Sequence, residues 1–333
     1  MEAKGIIKNI DKFNDIRLAT GIDLTLYATR NRRVNLSSSG VSTETYGSKW
    51  FMTHKGRGLF KTYDSYFDKK TKQIRMYNEL LCQELCKQVG IRCATYERAH
   101  INGIDGLITY DFVGKNKMVT IFDFMRVDKN LELNLLDCAR AIDIYAYNGY
   151  SINKKQAIVD LYKMIVFDTI TLQTDRNPHN INMLYDGKKI QVAPLIDNEF
   201  AFGGERLIDS MEFEEECESL VTFDDLVSKH AKSSKIFTFD DCYTSDDRRY
   251  KNNIQQITFY AKKHPALMNV LQNMLQNLDI DKAMAELDRQ GAQVNPYYKE
   301  YIRGIVTKTK SLLVAQKKQR VYKEELNDYE NIY

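Results

Sequence analysis

The feature that most constrains this chain is a change of hydrophobic period near residue 115. Before it, LTLYATR (24–30), KWFMTH (49–54), GLFKTY (58–63), ATYERAHI (94–101) and GLITYDFV (106–113) read as short strands separated by Gly, Asn and Ser. One stretch among them, RMYNELLCQELCKQVG (75–90), has helical spacing, with apolar Met76, Leu80, Leu81, Leu85 and Val89 and a stop at Gly90. After residue 115 the period becomes 3.6 in LNLLDCARAIDIYAYNG (133–149), KKQAIVDLYKMIVFDTITLQ (154–173) and HPALMNVLQNMLQNLDIDKAMAELDRQ (264–290). The expected class is α+β with two lobes: residues 1–115 as an antiparallel sheet with one helix, and residues 116–333 as a mostly helical lobe.

Within the helical part, NMLYDGKKIQVAPLID reads as two strands joined at Asp186-Gly187, the only clear strand signal there. The tail after Val306 reads as a charged amphipathic helix with a solvated face.

Composition narrows the function classes. With 48 basic residues against 45 acidic ones the formal charge is only +3, which gives no electrostatic case for direct nucleic-acid binding. No run of about 18 apolar residues signals a membrane span, and the first residues lack the apolar core of a signal peptide. Six cysteines stand at positions 82, 86, 93, 138, 217 and 242 without zinc-site spacing, so a reducing, cytoplasmic setting is expected. Cys82 and Cys86 are read as small apolar packing groups.

The chemistry is concentrated in TDRNPHNINMLYDGKKIQVAPLIDNEFAF (174–202). A helix ending near Gln173 delivers Asp175 into a loop, Asn180 follows five residues later, and the hairpin delivers Asp197. Phosphoryl transfer requires such a set: a carboxylate beside the acceptor hydroxyl, and an amide oxygen plus a second carboxylate as hard ligands for Mg²⁺. D-x-x-x-x-N followed by an Asp after a hairpin is the spacing of a protein-kinase catalytic loop and metal segment. A lysine on a strand of the first lobe should hold ATP phosphates, and Lys61 in GLFKTY supplies it. Glu79 lies 18 residues on, in the one helix of that lobe, with Glu84 as a rival for the same role. Upstream, NLSSSGVSTETYGSKW offers Ser39, Gly40, Gly47 and Ser48 as a phosphate loop, with Lys49 at its rim. The cluster of Ser37, Ser38, Ser39 and Ser42 is also a candidate for self-phosphorylation.

On these residues the sequence resembles the HipA-like kinases, an atypical branch of the kinase fold found in bacterial toxin–antitoxin systems. LYKMIVFDTITLQTDRNPHN is similar to that family's helix and T-D-x-H-x-x-N loop, and APLIDNEFAF to its A-P-L-x-D segment. VNLSSSGVSTE and GSKW resemble its S-G-V and G-x-x-K-x-W elements, and FKTYDSYFDKKTKQIRMYNELLCQELCKQVGI its lysine strand, helix and following turn. The resemblance spans roughly residues 35–205. It implies Asp175 as catalytic base, Asn180 and Asp197 as Mg²⁺ ligands, Lys61 as the phosphate-binding lysine and Glu79 as its partner. It further implies ATP as donor, a Ser or Thr hydroxyl of a protein as acceptor, and an antitoxin or a separate N-terminal module as partner. Two departures stand out. The histidine usual two residues after the Asp is replaced by Asn177, with His179 beyond it, and Asp197 is followed by Asn-Glu. Asp175-Arg176 with Asn180-Ile181 is also similar to the D-R-x-x-x-N-I loop of phosphatidylinositol kinases, which keeps a lipid or small-molecule acceptor open, beside an inactive kinase-like binding module.

Overall fold

The structure, a computed structural model, describes residues 17–18, 22–23, 49–63, 69–126, 134–176, 178–203 and 253–330. Its strands are β1 (Arg17–Leu18), β2 (Ile22–Asp23), β3 (Lys49–Thr53), β4 (Gly56–Lys61), β5 (Tyr96–Ile101), β6 (Ile104–Tyr110), β7 (Lys117–Thr120), β8 (Ser151–Ile152), β9 (Asn182–Tyr185), β10 (Lys189–Val192) and β11 (Ala292–Gln293). Its helices are α1 (Lys69–Val89), α2 (Ile121–Met125), α3 (Leu135–Tyr147), α4 (Lys154–Ile170), α5 (Asn253–Lys263), α6 (Pro265–Asn277), α7 (Ile280–Arg289) and α8 (Pro296–Glu330).

The first lobe is a five-stranded sheet in the order β2-β5-β6-β4-β3, antiparallel except where β2 runs beside β5. The β5–β6 hairpin turns on Asn102-Gly103, both at positive φ, the conformation a two-residue hairpin of this hand requires. β4 ends at Lys61, opposite Leu107. A Cβ on Gly106 would stand 2.4 Å from the Lys61 carbonyl oxygen and 2.6 Å from the Phe60 ring, so only glycine lets β6 close on the end of β4. The strand predicted at 24–30 lies outside the described residues.

α1 forms where the spacing predicts it. Met76, Leu80, Leu81, Leu85 and Val89 are all buried, each contributing about 1.5–3 kcal/mol by leaving water. Gly90 ends the helix at φ +65, and the Ile91 amide donates back to the Cys86 carbonyl at 3.0 Å, satisfying a carbonyl the helix leaves open. α1 is not confined to the sheet lobe. It also packs on α6 and α7, and one apolar cluster runs from Tyr63 through α1 to Leu313 of α8.

After residue 115 the chain is mainly helical, with two differences from the sequence reading. The Asp186-Gly187 hairpin is present as β9–β10, but it is the middle of a four-stranded sheet, β7-β9-β10-β8. The added strands have four and two residues, too few for a period-2 pattern to show. The predicted helix over 264–290 is two, because Asp279 accepts a hydrogen bond from the Lys282 amide and starts α7 afresh. β1 pairs with β11, tying the beginning of the chain to the loop before α8.

Among the described residues no helix is long and apolar enough to cross a membrane. Cys82, Cys86 and Cys138 are buried free thiols, and Cys93 is a half-buried one.

Candidate active site

β4 delivers Lys61 to the site because strand alternation turns Phe60 into the sheet core and the next side chain to the opposite face. Its Nζ lies 3.1 Å from Glu199 Oε1 and 3.5 Å from Asp197 Oδ1, and 4.8 Å above the ring of Tyr63. Burial alone would lower the lysine's pKa, but the charges of Glu199, Asp197 and Glu79 outweigh it and hold the ammonium well above its usual range. Tyr63 attracts the ammonium through a cation–π contact that no sequence motif signals.

The metal segment follows β10 and is bent sharply. Asp197 is at φ +54, a left-handed conformation that a side chain rarely adopts. That bend turns the Asn198 amide onto Glu79 Oε2 at 3.0 Å. Glu79 is therefore in the site, but it accepts from the main chain beside Asp197, and Lys61 pairs with Glu199 and Asp197 instead. Burial and then the Asp197 charge push the Glu79 carboxyl up to about 8. The rival Glu84 pairs with Lys87 at 2.6 Å and takes no part.

Asp175 follows α4, whose inner face is apolar almost throughout. Buried Gln173 joins the two acidic segments. Its Oε1 accepts from the Asp175 amide and its Nε2 donates to the Asp197 carbonyl, both at 3.1 Å. Asn180 donates from Nδ2 to the Asp175 carbonyl at 3.1 Å. That bond fixes the amide plane and leaves Oδ1, the atom a metal would use, uncommitted among the described residues. Lys61, Asp197, Asp175 and Asn180 are thus connected through two hydrogen bonds of Gln173, one of Asn180 and one ion pair.

Arg176 lies inside the protein, 1% exposed. It binds Asp168 of α4 at 2.9 Å, the Ile196 carbonyl at 2.6 Å and Asn198 Oδ1 at 2.7 Å. Its place in the loop is thereby explained by packing, and it has no surface to offer an acceptor. His179 is exposed and rests against Phe122, ring centroids 4.7 Å apart.

A second support comes from the far end of the chain. Tyr298 of α8 donates to Asn78 Oδ1 at 2.7 Å, and Asn78 Nδ2 donates to the carbonyls of Glu199 and Ala201 at 3.1 Å each. Tyr301 donates to the Phe202 carbonyl at 2.9 Å. α8 thus holds both α1 and the segment after Asp197.

Ser39, Gly40, Gly47 and Ser48, the neighbouring Ser37, Ser38 and Ser42, and Asn177 lie outside the described residues, as does the Lys49 side chain.

A hard divalent cation fits the donor set. Three carboxylates, Glu79, Asp197 and Glu199, act on one ammonium, and among the described residues buried Glu79 Oε1 and Glu199 Oε2 have no hydrogen-bond partner. Among the described residues no three His, Cys, Asp or Glu side chains enclose a metal by themselves.

This architecture matches a solved structure, that of a Helicobacter pylori proinflammatory kinase, CtkA. The TM-score is 0.63 over 92% of this chain and 99% of that one, at 16% sequence identity. The chain has the fold of that kinase. A weaker likeness is to the HipA toxin of Shewanella oneidensis, solved with HipB and operator DNA: TM-score 0.45 and 13% identity, over 79% of this chain and 57% of that one. No family model matches the sequence, and no curated protein does.

Proposed function

We propose that the protein is an ATP-dependent phosphotransferase that moves the γ-phosphate of ATP to a hydroxyl, most favourably that of a protein Ser or Thr. One observation carries this reading: the strand lysine, Lys61, contacts Asp197, and Gln173 joins Asp197 to the loop holding Asp175 and Asn180. A kinase fold with these residues in other places would not support it.

In this reading Lys61 binds ATP phosphates and Asp175 orients the acceptor hydroxyl and takes its proton. Asn180 and Asp197 would hold Mg²⁺, which supplies charge neutralisation on the phosphates. Glu79 holds the Asn198 main chain, which fixes the bend at Asp197. Ser39, Gly40, Gly47 and Ser48 are proposed as the phosphate-binding loop.

The protein acceptor is favoured over a lipid or small molecule because Arg176, the residue behind the lipid-kinase similarity, is buried in a structural ion pair. Labelled ATP offered to the protein with a panel of protein, lipid and metabolite acceptors tests this. Label in protein supports the reading, and label confined to lipid or metabolite overturns the acceptor class. The proposed antitoxin or separate N-terminal-module partner is tested by co-purification of the chain from its own cells.

A further inference from the structure

The usual arrangement behind the sequence reading pairs the strand lysine with a glutamate of the first-lobe helix. Here Lys61 Nζ is 3.1 Å from Glu199 Oε1, and no ion pair joins it to Glu79. We propose that Glu199, two residues after Asp197, is the positioning residue that holds Lys61 for the ATP phosphates. The proposal rests on the phosphotransfer reading of the same site.

Several independent contacts equip Glu199 for this. It is 8% exposed, so its attraction for Lys61 is little screened by water. Its main chain is fixed, because its carbonyl accepts from Asn78, itself held by Tyr298 of α8. Arg75 of α1 approaches the same Oε1 at 4.0 Å, and its guanidinium lies 4.3 Å over the Phe200 ring, so a second cation helps keep the carboxylate in place. Among the described residues Glu199 Oε2 has no hydrogen-bond partner, and it remains able to accept from the ammonium as it shifts.

Glu79 lacks these properties. Its Oε2 is committed to the Asn198 amide at 3.0 Å, beside Asp197, and it makes no ion pair with Lys61. The roles are divided: Glu79 sets the bend of the metal segment, and Glu199 uses the rigidity of that segment to set the lysine.

The test is ATP titration of phosphotransfer by wild type, Glu199→Gln, Glu199→Asp and Glu79→Gln, with thermal melting of each. A lysine displaced by about an ångström costs on the order of 100-fold. Glu199→Gln should therefore raise the KM for ATP and lower kcat/KM by that order. Glu199→Asp should recover part of both, and Glu79→Gln should lose at least tenfold less than Glu199→Gln. A Glu79→Gln loss equal to or greater than that of Glu199→Gln overturns the assignment, as does a wild-type KM in Glu199→Gln. If Glu199→Gln does not fold, a raised KM in Glu199→Asp with a smaller loss in Glu79→Gln upholds it, and the reverse order overturns it. Absence of transfer by wild type overturns the kinase reading and this assignment together, whereas active wild type with the reverse order overturns this assignment alone.

Discussion

Arg176 and Asp168 form a buried ion pair, Nε to Oδ2 at 2.9 Å, that pins the candidate catalytic loop to the helix preceding it. Both residues are almost without solvent contact, and the remaining Arg176 donors reach Ile196 and Asn198 on either side of Asp197. Removing one partner leaves the other charge buried and uncompensated, a loss of about 3–5 kcal/mol. Arg176→Ala and Asp168→Ala should each lower the melting temperature sharply. Unchanged melting of Arg176→Ala would show that the arginine is not the structural tie described.

Gln173 bonds to the main chain of both Asp175 and Asp197. Gln173→Leu keeps approximate volume and deletes both hydrogen bonds, at about 1–3 kcal/mol for each polar group left unpaired. Steady-state kinetics should show kcat falling more than ATP binding weakens, by about tenfold or more, because the relative placement of Asp175 and Asp197 is what is lost.

Glu79 gives the metal-free protein a defined pH dependence. Its ordinary value of 4.5 becomes about 8 on folding, so between these values the folded form keeps a proton the unfolded form has released. Stability through this group therefore falls as pH rises from about 4.5 to about 8 and is level above that. Chemical denaturation across this range should show the decline, amounting to a few kcal/mol, and Glu79→Gln should flatten it.

The Tyr298 hydroxyl acts at a distance from the chemistry. Tyr298→Phe leaves buried Asn78 with an unpaired oxygen, a loss of about 1–3 kcal/mol. Asn78 holds the carbonyls of Glu199 and Ala201, so activity should fall along with stability. Full activity with a normal melting temperature in this variant would show that α8 does not support the site.

What could be read from the sequence depended on length and on local chemistry. α1 declared itself through five apolar residues at helical spacing and a terminal glycine, and the β9–β10 turn through Asp186-Gly187. The order of Lys61, Glu79, Asp175, Asn180 and Asp197 was visible because each has a characteristic element type before it. β1, β8 and β11, of two residues each, carry no period. Gln173, Glu199 and Tyr298 were not legible because their importance comes from partners far away in the chain, such as the Asn78 to Tyr298 bond across 220 positions. Arg176 was visible, but a motif does not reveal whether its side chain faces an acceptor or, as here, the core.

The central claim is phosphoryl transfer by one assembled site, and its most direct measurement uses γ-labelled ATP with Mg²⁺. Wild type is compared with Asp175→Ala and Asp197→Ala, each shown to be folded by its melting transition. The account predicts label transfer by wild type and a loss on the order of 1,000-fold or more in both variants, since a base and a metal ligand each support the same transition state. Folded wild-type protein that transfers no label, or Asp197→Ala protein that transfers it at the wild-type rate, would contradict the account.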